Sequence, residues 1–147
     1  MKLEYIKYSD LNARQKERYN FHKIAAVLAD YGYSSIKLDD DWQGADFIAQ
    51  HFLKKNFIKV QLKGRLTFAK KYLKRKICIA FPYKNEWYLY KHDELLNKFL
   101  EIFSDTTAVS ASWKAEDGFY TWNDLSRQIK KLLEPYKLKP LSQAIPE

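Results

Sequence analysis

A strict alternation of apolar and polar residues constrains the fold more than any other feature of the chain. Three apolar residues alternate with three polar ones in the order Ile58, Lys59, Val60, Gln61, Leu62, Lys63. Successive side chains of a β-strand point to opposite faces of the sheet. The pattern therefore predicts a strand that sends Val60 and Leu62 into a core, while Gln61 and Lys63 project together from the other face.

Segments with their own periodicities surround this strand. Asn12 suits the N-cap of a helix that runs to about Tyr31, where Gly32 ends it. Further strands are predicted over residues 34–38, 46–49, 77–83 and 86–90. Asp93 is expected to cap a helix that reaches residue 103, and a last helix carries apolar residues from Leu125 up to Pro135. A loop of roughly fifteen residues separates these two helices.

Two segments leave alternatives open. Asp39, Asp40 and Asp41, followed by Gly44, are more typical of a solvated turn than of a metal cluster, because adjacent carboxylates repel. Residues 66–75 fit either a short helix or an extended basic loop. The predicted order is α-β-β-β-(α?)-β-β-α-α, an α/β class with a central mixed sheet flanked by helices.

Length and composition favour one domain. The chain has 147 residues, of which 46% are hydrophobic, enough for a single core. We expect one domain over 1–147, with its core at about 12–103 and a helical extension at about 104–147. Cys78, the single cysteine, lies in an apolar run and is expected to be a small core residue. With no apolar run long enough for a signal peptide or a bilayer span, the expected protein is cytoplasmic, with no membrane partner.

The positive charge is concentrated in one quarter of the chain. The net charge is +8, yet residues 47–85 contain no Asp or Glu and eleven Lys or Arg, whereas the remainder carries 15 basic and 18 acidic residues. Such segregation favours a polyanionic partner, because neutralised phosphates release condensed counterions. A surface that serves only solubility is the alternative, and a membrane surface is disfavoured because no basic amphipathic helix is evident.

We therefore expect a nucleic acid as a partner, bound through its backbone without base reading. Tyr72 stands among these basic residues, where it is a candidate for stacking on a base or sugar. The candidate nucleic-acid-binding residues are Lys54, Lys55, Lys59, Arg65, Lys70, Lys71, Tyr72, Lys74, Arg75 and Lys76.

Asp46, Gln61 and Lys63 form the candidate catalytic constellation. Asp46 falls on the strand before the one that carries Gln61 and Lys63, so the three side chains are expected to converge. A carboxylate and an amide oxygen are hard ligands suited to Mg²⁺, and a neighbouring lysine can orient or deprotonate a water. The triplet Gln128-Ile129-Lys130 has the same spacing, but it lies in a predicted helix, where positions i and i+2 point apart.

These residues and their order resemble the PD-(D/E)xK nuclease superfamily, which shares the restriction-endonuclease-like fold. The similar motifs are Gly44-Ala45-Asp46-Phe47-Ile48-Ala49, Phe57-Ile58-Lys59-Val60-Gln61-Leu62-Lys63-Gly64-Arg65, and the preceding helix with its Tyr31-Gly32-Tyr33 exit. Trp87-Tyr88-Leu89-Tyr90, followed by His92-Asp93-Glu94-Leu95-Leu96, resembles the later passage from strand to helix. The similarity covers about residues 12–103.

The resemblance implies Mg²⁺-dependent hydrolysis of DNA phosphodiester bonds, with Mn²⁺ able to substitute. Asp46 would be the metal-binding aspartate, Gln61 the second metal ligand and Lys63 the catalytic lysine. Gln61 stands where the family has an acid, which removes one negative charge from the metal shell and lowers metal affinity. Relatives often act as dimers, which implies a possible homodimer.

A further acid could compensate for Gln61. Glu17 is in helical register with Phe21, Ile24 and Leu28, which predicts that it shares their inward face and can reach the metal. The alternative is that Glu17 favours the helix dipole or pairs with Arg14 or Arg18. The competing functions are a non-catalytic nucleic-acid-binding module that keeps the nuclease fold, and a subunit that supplies contacts within a larger assembly.

Overall fold

A mixed six-stranded sheet forms the centre of the computed structural model, which describes residues 1–103, 113 and 118–141. Its strands lie in the order β1-β2-β3-β5-β6-β8, and β3 and β5 are parallel while the other neighbours are antiparallel. These strands are β1 (Tyr33–Trp42), β2 (Ala45–His51), β3 (Phe57–Leu62), β5 (Ile77–Tyr83), β6 (Glu86–Lys91) and β8 (Lys137–Leu138). A separate two-stranded sheet pairs β4 (Thr67–Ala69) with β7 (Phe119–Thr121).

In the described part of the chain, three α-helices flank the sheet, namely α1 (Ala13–Asp30), α2 (His92–Phe103) and α3 (Arg127–Leu133). Short 3₁₀ turns lie at Tyr8–Asp10, Lys70–Tyr72 and Glu134–Tyr136. This arrangement confirms the predicted α/β class with a mixed central sheet between helices. Within the described residues, none of the helices combines the length and apolarity that crossing a bilayer requires.

Helix α1 begins where the sequence predicts. Asn12 Oδ1 accepts a hydrogen bond from Gln15 N at 2.9 Å, and Gln15 Oε1 accepts one from Asn12 N at 2.9 Å, which completes a capping box. Gly32 follows the helix with φ +83°, a conformation that glycine adopts without steric cost. The confirmed start and end fix which residues of α1 face the sheet.

Helix α1 covers one face of strands β1–β3. Phe21, Ile24 and Leu28 are buried against a cluster that includes Phe47 and Val60. Burial along β2 alternates accordingly, with positions 45, 47 and 49 buried and positions 46, 48 and 50 at least partly exposed. Helix α2 packs on β5 and β6. Ile36 and Phe57, on the face of β1–β3 away from α1, consequently remain exposed.

The predicted turn at Asp39–Asp41 is wrong. These residues continue β1, which runs to Trp42, and the turn lies at Gln43 and Gly44. The ladder between β1 and β2 is irregular after Lys37, which accommodates the extra residues. Strand β1 lies at the edge of the sheet, where exposed acidic side chains are tolerated and discourage pairing with another chain.

Residues 66–75 form neither a full helix nor a free loop. They contain strand β4, whose three residues are buried, followed by the 3₁₀ turn at Lys70–Tyr72. The buried His92 holds this segment, because its Nε2 accepts a hydrogen bond from Ala69 N at 3.1 Å. Burial lowers the pKa of His92, which keeps Nε2 available as an acceptor.

The remaining differences lie near the two later helices. Helix α2 begins at His92, so Asp93 lies within its first turn, where it accepts a hydrogen bond from Lys74 N at 2.9 Å. The described part of the tail contains α3, as expected, and also the short strands β7 and β8, which were not predicted. Most of the predicted fifteen-residue loop lies outside the described residues. Cys78 is buried as predicted, and burial raises the pKa of its thiol to about 11.

Gly44 provides a test of the turn that precedes β2. Its φ is +87°, and a Cβ there would lie 3.2 Å from Ile77 Cδ1 and 3.3 Å from Tyr72 Cδ1. We expect Gly44→Ala to lower the free energy of unfolding by about 1–2 kcal/mol, measured from urea unfolding curves. Gly64→Ala is the matched control, because its Cβ meets nothing within 4 Å. Equal midpoints for the two variants would contradict this account of the turn.

Candidate active site

Asp46 connects the start of β2 to the end of β3. Its Oδ2 accepts hydrogen bonds from Gln61 Nε2 at 2.7 Å and from Leu62 N at 2.8 Å. The register places Phe47 opposite Val60, so Asp46 and Gln61 are the next pair along the ladder. Asp46 Oδ1 accepts no hydrogen bond from a described residue and is available to a ligand.

Gln61 is more deeply buried than a projecting strand residue would be, with an exposed fraction of 8%. Its amide nitrogen donates to Asp46, which turns its Oε1 away from the carboxylate oxygen that receives that bond. Gln61 therefore lies on the predicted face of β3, but it is buried there and does not project into solvent.

Lys63 follows β3 immediately and joins the same locality. Its backbone N donates to Ala80 O at 2.9 Å, which continues the pairing with β5 by one residue. Its Nζ lies 5.6 Å from the centre of the Tyr72 ring, and the positive charge of Lys63 acts to lower the pKa of Asp46. The structure thus brings Asp46, Gln61 and Lys63 together as the sequence predicts. Their catalytic roles stay predictions.

Glu17 lies near Asp46, but its side chain is not on the inward face of α1 as predicted. Its side chain is 53% exposed and not on the buried face of α1, and its Oε1 lies 2.7 Å from Lys37 Nζ. Neither Arg14 nor Arg18 is its partner. Glu17 and Asp46 line one cleft of about 680 Å³. The two carboxylates therefore interact, but the charge of Glu17 is compensated by Lys37.

The pKa of Asp46 lies above its ordinary value. Burial is the largest cause, since it disfavours the charged form, and the negative charge of Glu17 acts in the same direction. The hydrogen bond from Leu62 N and the positive charges of Lys37 and Lys63 oppose this shift. A cation placed beside Asp46 would favour its ionised form, so ligand binding and proton loss are coupled here.

The oxygen donors present fit a weak Mg²⁺ site. Asp46 Oδ1 and Gln61 Oε1 are hard donors, and Mg²⁺ is often held by one or two protein ligands while keeping several waters. Among residues 1–103, 113 and 118–141 there is no group of three or more His, Cys, Asp or Glu placed to hold a metal. The fit therefore depends on Asp46 Oδ1, which Gln61 Oε1 would join after rotation of the Gln61 amide and Glu17 only after leaving Lys37.

The basic residues do not form one patch. Lys63, Lys70 and Lys71 line a cleft of about 510 Å³ beside Tyr72, whereas Lys59 and Lys76 line a separate groove. Lys54 and Lys55 lie in the turn before β3, about 20 Å along the strand from Lys63. Arg65 donates a hydrogen bond to Asn123 Oδ1, and Arg75 N donates to Tyr72 O at 3.3 Å. Lys74 precedes Arg75 and has positive φ. The fold thus divides the basic segment between separate surfaces.

Tyr72 does not offer its ring to a ligand. Its exposed fraction is 2%, because the ring packs beside His92 and close to Gly44. The prediction that Tyr72 stacks on a base or sugar is therefore wrong. The ring instead lies beside two lysines, with Lys63 Nζ at 5.6 Å and Lys71 Nζ at 5.1 Å from its centre.

Two residues near the candidate site, Lys37 and Trp42, were not predicted from the sequence. Lys37 pairs with Glu17, and its Nζ lies 5.7 Å from the centre of the Phe21 ring. Trp42 is 44% exposed, and Lys59 Nζ lies 5.6 Å from its ring centre. The alternation in β1 contained a signal for Lys37, but only the register, which sets Lys37 opposite Phe47, places it under α1.

No family model matches the chain, and neither a curated protein nor a solved structure is significantly similar to it. The resemblance to the PD-(D/E)xK superfamily therefore depends on the residues of this chain alone.

Asp46→Asn tests the electrostatics of the site. The raised pKa means that ionised Asp46 costs folding free energy above that pKa, and that this cost disappears as the pH falls through it. Asparagine keeps an oxygen for Leu62 N and carries no charge. We expect Asp46→Asn to gain stability relative to the wild type at pH 7, and to lose this gain as the pH falls toward 3.8.

Thermal unfolding of both proteins across this pH range provides the measurement. Asp124→Asn is a control with the opposite sign, because Tyr83 donates to Asp124 and its pKa is lowered. A stability difference for Asp46→Asn that does not vary with pH would refute the proposed shift.

Proposed function

We propose that the chain is a Mg²⁺-dependent endonuclease that hydrolyses DNA phosphodiester bonds. The observation that carries this proposal is the convergence of Asp46, Gln61 and Lys63 at the paired ends of β2 and β3. The observed order of a helix, three antiparallel strands and a strand parallel to the third is compatible with the predicted restriction-endonuclease-like fold. The crossover, predicted as either a short helix or an extended basic loop, holds β4 and a 3₁₀ turn.

Asp46 and Gln61 are the residues that would hold the metal, through Oδ1 and Oε1. When bound, Mg²⁺ polarises the scissile phosphate and lowers the pKa of a coordinated water, and Mn²⁺ supplies the same chemistry. The hydrogen bonds from Leu62 N and Gln61 Nε2 fix the orientation of the carboxylate before any ligand arrives. Asp46 Oδ1 is thereby left for the ligand, and rotation of the Gln61 amide would bring its Oε1 to the same ligand.

Lys63 would position the attacking water and stabilise the charge that develops on the phosphate. Lys70 and Lys71, which line the same cleft as Lys63, would hold the neighbouring backbone phosphates. The Tyr72 ring packs beside Lys63, whose Nζ lies 5.6 Å from the ring centre. Because one such site cuts one strand, we further propose a homodimer on duplex DNA.

A non-catalytic nucleic-acid-binding module is the second candidate. The observation in its favour is that the described residues contain no group of three or more His, Cys, Asp or Glu placed to hold a metal, and that Glu17 is paired with Lys37. A binder needs the basic clefts but not the metal. The two candidates therefore differ in their response to metal and to changes at positions 46 and 63.

Nicking of supercoiled plasmid with Mg²⁺ or Mn²⁺ is the direct test. We expect Asp46→Ala and Lys63→Ala each to lower the rate at least about 100-fold. The matched control is Lys130→Ala, which removes the lysine of the Gln128-Ile129-Lys130 triplet on α3 and should leave the rate unchanged. Salt-sensitive DNA binding without nicking, unaffected by either change, would favour the binding module. Neither binding nor nicking would favour a subunit of a larger assembly.

Gln61→Glu tests metal binding separately from hydrolysis. A second carboxylate beside Asp46 repels it when no cation is present, so we expect a lower melting temperature in EDTA than for the wild type. Mg²⁺ should stabilise Gln61→Glu more than the wild type, because the added charge raises its metal affinity. Gln128→Glu adds the same charge elsewhere. An equal response of the two variants to Mg²⁺ would contradict a metal site at Asp46 and Gln61.

A further inference from the structure

A groove on the sheet face opposite α1 is not used by the proposed chemistry. It has a volume of about 690 Å³ and lies between the tip of the β1–β2 hairpin, the start of β3 and the junction of β6 with α2. Two of the aromatic residues that line it are exposed, Trp42 at 44% and Phe57 at 57%. We call this surface the Trp42 groove. Exposed aromatic rings inside a concave surface favour binding of a flat, apolar group.

Positive charge surrounds these rings. Lys59, Lys76 and Lys91 line the Trp42 groove, and neither Lys76 nor Lys91 forms an ion pair with a described residue. Lys59 Nζ donates to Gln43 Oε1 at 2.8 Å and lies 5.6 Å from the Trp42 ring centre. A cation is thus held beside an aromatic face, which places positive charge next to any group stacked there.

The two acids of the Trp42 groove are engaged elsewhere. Asp93 accepts from Lys74 N and contacts His92 Nδ1. Glu94 accepts from Tyr136 OH at 3.1 Å and from Lys98 Nζ at 3.4 Å. Glu94 is therefore paired with Lys98, whereas Asp93 contacts the backbone of Lys74 and the ring of His92. Three lysines and two acids line the Trp42 groove, so its net positive charge favours an anionic ligand.

A nucleotide with an unpaired base combines a flat ring system with an anionic phosphate, so it suits both the aromatic rings and the lysines of the Trp42 groove. In a duplex the base faces are stacked on each other, whereas a single strand can place its bases on protein aromatic rings and its phosphates on lysines. We propose that the Trp42 groove binds an unpaired segment of nucleic acid, with bases on Trp42 and Phe57 and phosphates at Lys59 and Lys76. As an assignment of substrate form, this inference rests on the proposed nuclease function.

The geometry connects the Trp42 groove to the candidate active site. Lys59 and Gln61 lie on the same face of β3, about 7 Å apart along the strand. The hairpin that carries Trp42 continues through Gly44 to Asp46. The Trp42 groove and the candidate site are therefore neighbours along β3, and Asp46 itself lines the cleft beside α1.

Binding of a fluorescently labelled thymidine oligonucleotide to the full chain, measured by anisotropy in EDTA, tests the inference. EDTA removes hydrolysis, so binding is measured whether or not the protein is a nuclease. We expect the single strand to bind more tightly than the same sequence in a duplex. We also expect Trp42→Leu and Phe57→Leu each to weaken single-strand binding at least about fivefold. Phe52→Leu is the matched control, since Phe52 is 64% exposed but does not line the groove.

A second readout separates stacking from charge. Stacking on Trp42 should quench tryptophan fluorescence on oligonucleotide addition, and this quenching should be lost in Trp42→Leu even when unchanged melting temperatures show that the variant is folded. Equal binding of single strand and duplex, or an equal loss in Phe52→Leu, would overturn the inference. If plasmid nicking fails while this binding pattern is found, only the hydrolysis proposal falls. If nicking succeeds and both groove variants bind normally, only the groove proposal falls.

Discussion

The hydrogen bonds that converge on Asp46 Oδ2 are the interaction on which the arrangement of the site depends. The Asp46 carboxylate, at the start of β2, accepts one backbone and one side-chain hydrogen bond from β3. These bonds hold the ends of the two strands in register. Burial raises the pKa of this carboxyl group, because it disfavours the charged form. Such a group is expected where a ligand, and not the fold alone, compensates the charge.

The sequence predicted those parts of the fold that depend on local periodicity and capping. The Asn12 cap, the alternation in β3 and the hairpin between β5 and β6 are each encoded within a few neighbouring residues. The order of the elements and the convergence of Asp46 with Gln61 and Lys63 followed from them. Parts that depend on distant partners were not predictable. Strand β4 exists because β7 pairs with it, and no property of Thr67–Ala69 indicates this partner.

The candidate site shows the same division between local and tertiary information. Its three main side chains were found from spacing, but the partner of Glu17 was not, because Lys37 meets it only through the packing of α1 on β1. The basic segment, continuous in sequence, is divided because β3 carries its residues to opposite ends of the sheet. Charge composition therefore indicated the kind of partner, whereas the surfaces that meet it required the register and the burial of each residue.

The parallel pairing of β3 with β5 has a consequence for how the protein reaches its native state. Parallel neighbours need a crossover, and here the crossover is anchored by β4 on a strand more than forty residues further along the chain. Closing that long loop costs chain entropy before its contacts form. The lysine cleft at Lys63 and Lys71 is therefore completed late in folding, after the C-terminal part of the chain has been synthesised and has docked. A nascent chain lacking β7 would contain the Asp46 hairpin without the completed lysine cleft.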